Sequence, residues 1–204
     1  MARLLVYYAH PGQRHSRLNR ALADIAREVD GISFIDLYAE YPRHEIDIDR
    51  EQKRLVDHDV VLFQFPMFWY STPSLVKEWI DLVLEHGFAY GKGGDALYGK
   101  RLMLAVSAGA PEEAYSPEGY QRHPLRTFLL PLEQTAILCH LAFTPPYTLY
   151  GSLRAADEHR IEPHADGYRR LLEAVRDDRF DFDAAARLDV ITCDSLPIGE
   201  AARA

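Results

Sequence analysis

Residues 59–81 read DVVLFQFPMFWYSTPSLVKEWID and contain the signals that decide the fold. The apolar run 60–65 has the length and the β-branched and aromatic content of a strand covered on both faces. Thr72 followed by Pro73 predicts a helix start, with a hydroxyl N-cap before a first-turn proline. The aromatic turn between them, Pro66–Tyr70, would lie at the carboxyl end of a parallel strand, where open α/β sheets bind ligands. We therefore expect this turn to contact a flat ligand; the alternative is that its aromatic side chains only cover the core.

The composition is that of a globular protein, with 48% hydrophobic and 26% charged residues among 204. A chain of this length forms one domain with a sizeable core. The formal net charge of −8 argues against nucleic acid as a partner, since phosphate backbones need a basic surface. We expect a cytoplasmic protein, because no apolar run is long enough for a membrane-spanning helix and the amino terminus lacks a secretion signal. The two cysteines, Cys139 and Cys193, have no CxxC spacing and predict neither a disulfide nor a zinc site.

Strand-like and helix-like segments alternate along the chain. Strands are predicted at 3–8, 32–37, 60–65, 100–107 and 142–144, and helices at about 16–29, 49–58, 73–86, 125–139 and 158–175. This alternation predicts an α/β fold, a five-stranded parallel sheet with helices on both faces. The flavodoxin-like strand order 2-1-3-4-5 competes with the Rossmann order, which requires GxGxxG after the first strand. The loop there reads AHPGQRHS at 9–16, so the flavodoxin-like order is favoured. Residues 1–177 are predicted to form this domain, and no role is predicted for the tail 178–204.

In the flavodoxin-like order, the loops that follow strands 1, 3 and 4 converge at one edge of the sheet. The first loop leads into a helix N-terminus at Ser16, where free backbone N–H groups and the helix dipole favour an anion. A phosphate is expected there, held by the Ser16 hydroxyl, the backbone amides of Arg17 and Leu18, the Asn19 side chain and His10. Ser16 alone is equally a plain N-cap, and Asn19 alone an exposed helix residue. Beside the aromatic turn, they favour a nucleotide-like ligand with one terminal phosphate and one flat ring system.

Two further loops are expected to flank that ring. One side consists of Pro66, Met67, Phe68, Trp69 and Tyr70, and the other of Ser107, Ala108, Gly109 and Ala110. The small residues of the second loop let the backbone approach a ring closely, although a tight turn alone also accounts for Gly109.

No metal site is predicted. Asp47, Asp49 and Glu51 are interpreted as an acidic surface, because the glycine and terminal glutamate of a calcium-binding EF-hand loop are missing. A surface position is expected for five histidines, namely His15, His44, His58, His159 and His164. His140, beside Cys139, has neither the ligand spacing nor the neighbours of a metal site.

A series of ordered motifs resembles one protein family over about residues 4–175. The motifs are YAHP at 8–11, Ser16 with Asn19, FPMFWY at 65–70, HGFAYG at 86–91 and PLEQTA at 131–136. The chain resembles the flavodoxin-like NAD(P)H:quinone oxidoreductases, and most of all the branch that contains the ancillary proteins of glutathione-regulated potassium-efflux systems.

The resemblance implies an enzyme that transfers a hydride from NAD(P)H through FMN, or alternatively FAD, to a small quinone. It implies a homodimer, with Tyr115 near the N1 and O2 edge of the flavin and His123 as the nearest candidate for the histidine beside it. Members often have threonine and paired glycines at 107–110, and glutamine at Phe68, so the resemblance implies the fold but not the individual hydrogen bonds to the ring.

The same branch implies an alternative or additional role as a regulatory subunit of a potassium-efflux transporter, at the inner face of the cell membrane. A flavodoxin-type electron carrier is a weaker alternative, because small carriers lack long loops such as 87–99 and 110–124.

Overall fold

The structure, a computed structural model, describes residues 1–12 and 16–199 and is organised around a parallel sheet. Its strands are β1 (Leu4–Tyr8), β2 (Ser33–Asp36), β3 (Val60–Pro66), β4 (Arg101–Ser107), β5 (Ala142–Phe143) and β6 (Tyr147–Leu149). Its helices are α1 (Arg17–Glu28), α2 (Leu37–Glu40), α3 (Ile48–Asp57), α4 (Ser74–Val83), α5 (Leu130–Leu138), α6 (Ile161–Arg176) and α7 (Phe182–Ala185). The strand order β2-β1-β3-β4-β5 confirms the flavodoxin-like prediction and places β2 at an edge.

Helices cover both faces of the sheet, as predicted. Side chains alternate between the two faces along each strand, so Leu5 and Tyr7 of β1 join one buried cluster while Leu4 and Val6 join the other. The first cluster contains residues from α3 and α4, and the second contains residues from α1 and α6. Strands β1, β3 and β4 are therefore buried on both sides, which explains why their sequences are continuously apolar.

The predicted helix starts are right at α1 and wrong at two other helices. Ser16 is the N-cap of α1, and its Oγ accepts a hydrogen bond from the Asn19 N–H. Thr72 does not cap α4, because Pro73 itself occupies the N-cap position with an extended backbone (φ −54°, ψ 148°). Helix α3 is capped by Asp47 rather than Asp49, since the Asp47 carboxylate accepts from the Arg50 N–H at 3.1 Å.

The predicted fifth strand, 142–144, corresponds to β5 alone, and β6 is a further strand that was not predicted, so the described sheet has six strands rather than five. Pro145 and Pro146 lack the N–H groups that a ladder needs, so pairing with β4 stops after β5 and resumes at β6. The segment 38–48, predicted to be irregular, also begins inside the short helix α2, which Asp36 caps.

The described part of the tail, 178–199, packs against the edge of the sheet. Ile191 forms a parallel bridge with Tyr147 of β6, through hydrogen bonds of 2.8 Å from Thr148 N–H to Ile191 O and from Ile191 N–H to Pro146 O. The Arg101 guanidinium lies 3.8 Å from the centre of the Phe182 ring. The tail therefore extends the sheet beyond β6.

Glu51 is fully buried, so its assignment to an acidic surface is wrong. Its carboxylate accepts hydrogen bonds from the hydroxyls of Tyr7 and Tyr41, from Trp79 Nε1 at 3.0 Å and from the Arg54 guanidinium. Because these donors come from β1, from the end of α2, from α4 and from α3 itself, the buried carboxylate connects the helices on one face to the sheet.

His164 is also buried, against the expectation of a surface position. Its ring stacks on Tyr147 with the ring centres 4.3 Å apart and the planes 16° apart, and its Nδ1 has no hydrogen-bond partner. Burial, with a smaller contribution from the charge of Arg160, lowers the pKa of His164 to about 3. The imidazole is therefore neutral in the folded protein at neutral pH.

The buried imidazole predicts acid sensitivity. Between the folded pKa of about 3 and the ordinary histidine pKa of 6.5, the unfolded chain binds a proton that the folded chain excludes, so stability falls as the pH decreases. From pH 7 to pH 5, the wild-type protein should lose about 2 kcal/mol more unfolding free energy than His164→Phe, which keeps a ring beside Tyr147 but does not titrate. Urea unfolding at the two pH values measures this difference.

The exposed His140 provides the control. His140→Asn should retain the full pH dependence of the wild-type protein. Equal pH dependence in wild type and His164→Phe would show that the pKa of His164 is the same in the folded and the unfolded protein.

Candidate functional site

A cavity of about 440 Å³ lies at the carboxyl ends of β1, β3 and β4. It is lined by His10, Gly12, Ser16, Arg17, Leu18, Asn19, Pro66, Phe68, Ser107, Ser152, Leu153, Ala156, Asp157 and Ile161. Its volume is in the range of small-molecule sites. The cavity occupies the position at which the convergent loops predicted a ligand.

The N-terminus of α1 forms one wall of the cavity. The structure brings all five residues of the predicted phosphate site to this wall, namely His10, Ser16, Arg17, Leu18 and Asn19. The first amides of a helix have no intrahelical acceptor, and the Ser16 cap satisfies only that of Asn19. The amides of Arg17 and Leu18 remain suited to an anion.

Asn19 is only 4% exposed, so it is not a surface helix residue. Its Nδ2 donates to Ser107 Oγ at 2.9 Å, and its backbone carbonyl accepts from Gln64 Nε2 at 2.8 Å. The Tyr168 hydroxyl donates in turn to Gln64 Oε1 at 3.2 Å. These hydrogen bonds join α1, β3, β4 and α6 behind the cavity.

The Oδ1 atom of Asn19 is buried beside the cavity and has no partner. A buried acceptor without a donor is costly, which indicates that a ligand supplies the donor. The hydroxyl-bearing ribityl chain of a flavin offers such donors, and its terminal phosphate matches the α1 amides. The donor and acceptor groups of this wall therefore fit a flavin mononucleotide.

His10 presents a defined hydrogen-bonding atom to the cavity. The Gly12 N–H donates to His10 Nδ1 at 3.1 Å, so the neutral ring carries its hydrogen on Nε2. Burial is the main reason that the pKa of His10 lies below its ordinary value. His10 is therefore a neutral N–H donor near neutral pH. The His10 ring contacts the Phe68 ring edge to face, with the ring centres 5.8 Å apart.

The aromatic turn is a two-residue hairpin. Phe68 and Ser71 exchange backbone hydrogen bonds of 3.0 Å in both directions, while Trp69 and Tyr70 have left-handed backbones with φ of 46° and 65°. Pro66 and Phe68 line the cavity, but the other three predicted residues of the turn do not. Met67 packs toward the core, Trp69 is 90% exposed, and Tyr70 lies against Phe128.

Of the four predicted residues after β4, only Ser107 lines the cavity. Ala108 N–H donates to Leu149 O at 2.9 Å, and Gly151 N–H donates to Ala110 O at 2.7 Å. A Cβ placed on Gly109 would lie 3.6 Å from the side chain of Leu153. Residues 108–110 thus support the loop after β6, and that loop provides the wall.

The wall formed by Ser152, Leu153, Ala156, Asp157 and Ile161 was missed from the sequence. Recognition of β6 behind the two prolines would have revealed it, because the sequence YTLYG at 147–151 is a short β-branched and aromatic run that ends at glycine. Arg160 fixes this loop by donating to Tyr150 O at 2.7 Å and to Gly151 O at 3.0 Å.

The predicted catalytic residues Tyr115 and His123 lie outside the cavity lining. Burial is the main cause that raises the pKa of Tyr115 to about 12, so its hydroxyl stays protonated at neutral pH. Its ring centre is 5.4 Å from that of Tyr150 and 6.2 Å from that of Phe128. His123 is exposed and lies 6.0 Å from Phe128. Both residues therefore meet at Phe128, which sequence analysis also missed.

Two other kinds of site are absent from the described part of the chain. Residues 1–12 and 16–199 contain no group of three or more His, Cys, Asp or Glu side chains placed to hold a metal ion. None of the helices in these ranges is both long enough and apolar enough to cross a membrane.

Comparisons with known proteins agree with this fold. Among curated proteins, the chain is 43% identical over 166 residues to KefG of Serratia proteamaculans (strain 568), a glutathione-regulated potassium-efflux system ancillary protein, covering 81% of this chain and 90% of that protein. General stress protein 14 of Treponema denticola, solved in complex with FMN, has a TM-score of 0.80 and 37% identity, covering 85% of this chain and 99% of that one. A Klebsiella pneumoniae protein provisionally named a quinone reductase has a TM-score of 0.72 and 25% identity, covering 86% and 85%.

The family model described as having a flavodoxin-like fold matches residues 2–172, which include β1 to β6 and most of α6. The chain therefore belongs to the flavodoxin-like fold family.

Proposed function

We propose that the protein is a flavin-dependent NAD(P)H:quinone oxidoreductase with FMN as its cofactor. The observation that supports this most strongly is the buried Asn19 Oδ1 atom, which lacks a donor and lies in the same cavity wall as the first residues of α1. Relatives support the same activity, since one was solved with FMN and another is named a quinone reductase.

Residues at the α1 end of the cavity bind and orient the cofactor. The amides of Arg17 and Leu18, with the Ser16 hydroxyl, hold the phosphate. Asn19 Oδ1 accepts a hydrogen bond from a ribityl hydroxyl, and His10 donates from Nε2. FMN is favoured over FAD because the cavity of about 440 Å³ lies toward the lower end of the range for small-molecule sites.

When bound, the flavin supplies two-electron redox chemistry at the level of a hydride. Phe68, Ser107 and Leu153 line the cavity and would hold the flavin ring and exclude water from it. Tyr115 keeps its proton at neutral pH, so its hydroxyl would be available as a hydrogen-bond donor to a negatively charged cofactor. NAD(P)H and the quinone would bind in turn near the Phe68–Ser71 hairpin, which Phe128 connects to His123.

We also propose a homodimer. The helix α5 exposes apolar side chains at Leu130, Ile137 and Leu138, each more than half accessible, and the hairpin exposes Trp69. A surface of this kind is suited to a partner subunit.

The second proposed role is regulatory. The KefG proteins, at about 40% identity, are ancillary proteins of glutathione-regulated potassium-efflux systems. Docking on such a transporter would place this cytoplasmic protein at the inner face of the membrane. The two roles are compatible, because a flavoprotein that docks on a transporter can report the redox state.

Purified protein reconstituted with FMN should be yellow and should oxidise NADH or NADPH when a small quinone is added. Absorbance at the nicotinamide and flavin bands measures both properties. Protein that binds neither FMN nor FAD and gives no turnover with either nucleotide would exclude the proposed enzyme.

Asn19→Leu should raise the Kd for FMN by about tenfold to a hundredfold, because leucine offers no acceptor to the ribityl chain. Quenching of FMN fluorescence during titration measures the Kd. Thr144→Val is the matched control, since Thr144 Oγ1 is another buried oxygen without a partner but does not line the cavity. Unchanged FMN affinity in Asn19→Leu would place the cofactor elsewhere.

The regulatory role predicts association with a transporter in native membranes. Affinity purification of the tagged protein from detergent-solubilised membranes should recover a potassium-efflux transporter. Recovery of none, under conditions that retain other peripheral proteins, would count against this role.

A further inference from the structure

The Trp69–Tyr70 turn has a backbone that its residues disfavour. Hairpins with two left-handed central residues strongly prefer Asn-Gly, and a bulky side chain in that conformation costs free energy. Here the two positions hold tryptophan and tyrosine, with φ of 46° and 65°. Such a conformation persists only where surrounding contacts maintain it, and it is typical of ligand-binding segments.

One phenylalanine ring provides a contact that maintains the turn. The ring of Phe128 lies 4.9 Å from that of Tyr70, with 33° between the planes. Beside this contact, Ser71 and Thr72 border a second cavity of about 180 Å³ that Phe128 also lines. Packing on this side of the hairpin therefore depends heavily on the Phe128 ring.

The same ring contacts both proposed catalytic residues. Tyr115 and His123 meet Phe128 edge to face, with ring centres 6.2 Å and 6.0 Å away and planes at 76° and 81°. Edge-to-face pairs at such distances are favourable arrangements for aromatic rings. Phe128 thus joins the hairpin to the loop that contains the proposed catalytic groups.

Phe128 itself is held firmly. It belongs to the 3₁₀ helix Leu125–Leu129, whose two terminal leucines are buried in the core. Two residues earlier, Arg126 forms an ion pair of 2.8 Å with Glu133 and donates to Leu188 O in the tail at 3.3 Å. The ring is therefore supported by the core and by the tail.

We propose that Phe128 is a positioning residue, which holds the Trp69–Tyr70 turn in its left-handed conformation and fixes Tyr115 and His123 relative to it. The role of these residues in the reaction rests on the proposed function. Phe128 does not line the cofactor cavity, so it acts on the reaction through its neighbours.

The test compares Phe128→Leu, which removes the ring, with Phe128→Tyr, which retains it. The matched control is Phe182→Leu, the same change at a partly buried phenylalanine in the tail. Amide hydrogen exchange of Phe68 and Ser71, followed by NMR in protein without flavin, reports the hairpin directly, because these two amides form its reciprocal hydrogen bonds. Steady-state kinetics of the FMN-loaded protein report catalysis.

In Phe128→Leu, the amides of Phe68 and Ser71 should exchange about tenfold faster, the factor expected from the loss of an aromatic pair. The kcat should fall about tenfold, while the Kd for FMN changes less than about threefold, because the phosphate site is untouched. Phe128→Tyr and Phe182→Leu should match the wild-type protein in both measurements. If Phe128→Leu does not fold, Phe128→Met provides a replacement of similar volume without a ring.

A second variant separates the two tasks of the ring. Adding Tyr70→Gly to Phe128→Leu should restore slow exchange at Phe68 and Ser71, because glycine adopts the left-handed conformation freely. It should not restore kcat, since Tyr115 and His123 still lack their ring contact.

Unchanged exchange and unchanged kcat in Phe128→Leu would overturn the proposal, as would equal losses in Phe182→Leu. Faster exchange with unchanged kcat would overturn the catalytic part. Failure of the proposed function would appear separately, as a wild-type protein without NAD(P)H oxidation, and the exchange comparison would then still decide whether Phe128 holds the turn.

Discussion

The hydrogen bond from Asn19 Nδ2 to Ser107 Oγ joins the start of α1 to the end of β4, and the geometry of the candidate site depends on it. Gln64 and Tyr168 continue this polar connection through the apolar core to α6. Buried polar groups of this kind are favourable only when they are satisfied. In this network, Asn19 Oδ1 is the atom that lacks a hydrogen-bond partner. The same side chain therefore fixes the start of α1 through its Nδ2 and offers its Oδ1 to a ligand.

The fold was largely predictable because its signals are local. A single glycine in the loop after β1 excluded the Rossmann order, and continuous apolar runs identified the central strands. The errors arose where distant residues decide the outcome. Glu51 appears in an acidic stretch, but donors from β1 and α4 allow it to be buried. His164 lies on a helix of mixed polarity, and only the position of Tyr147 shows that its face is internal.

In the candidate site too, features that depend on neighbouring residues were predictable, and features that depend on distant residues were not. The five residues predicted for the phosphate site lie together at one wall of the cavity, because helix capping by Ser16 depends on neighbouring residues alone. The opposite wall depends on how the chain continues after Pro146, and the prolines concealed the strand that leads to it. The direction of Trp69 was not predictable either, since a sequence rich in aromatics gives no sign of a left-handed turn.

The bridge between Ile191 and β6 has a consequence for the behaviour of the molecule in concentrated solution. An edge strand presents a row of unpaired backbone donors and acceptors, with which strands of other molecules can pair. Thr148 N–H and Pro146 O are such groups, and Ile191 of the same chain occupies them. The tail thus protects this edge of the sheet from pairing with other molecules. Chains that ended before Ile191 would leave the N–H of Thr148 and the carbonyl of Pro146 open to such pairing.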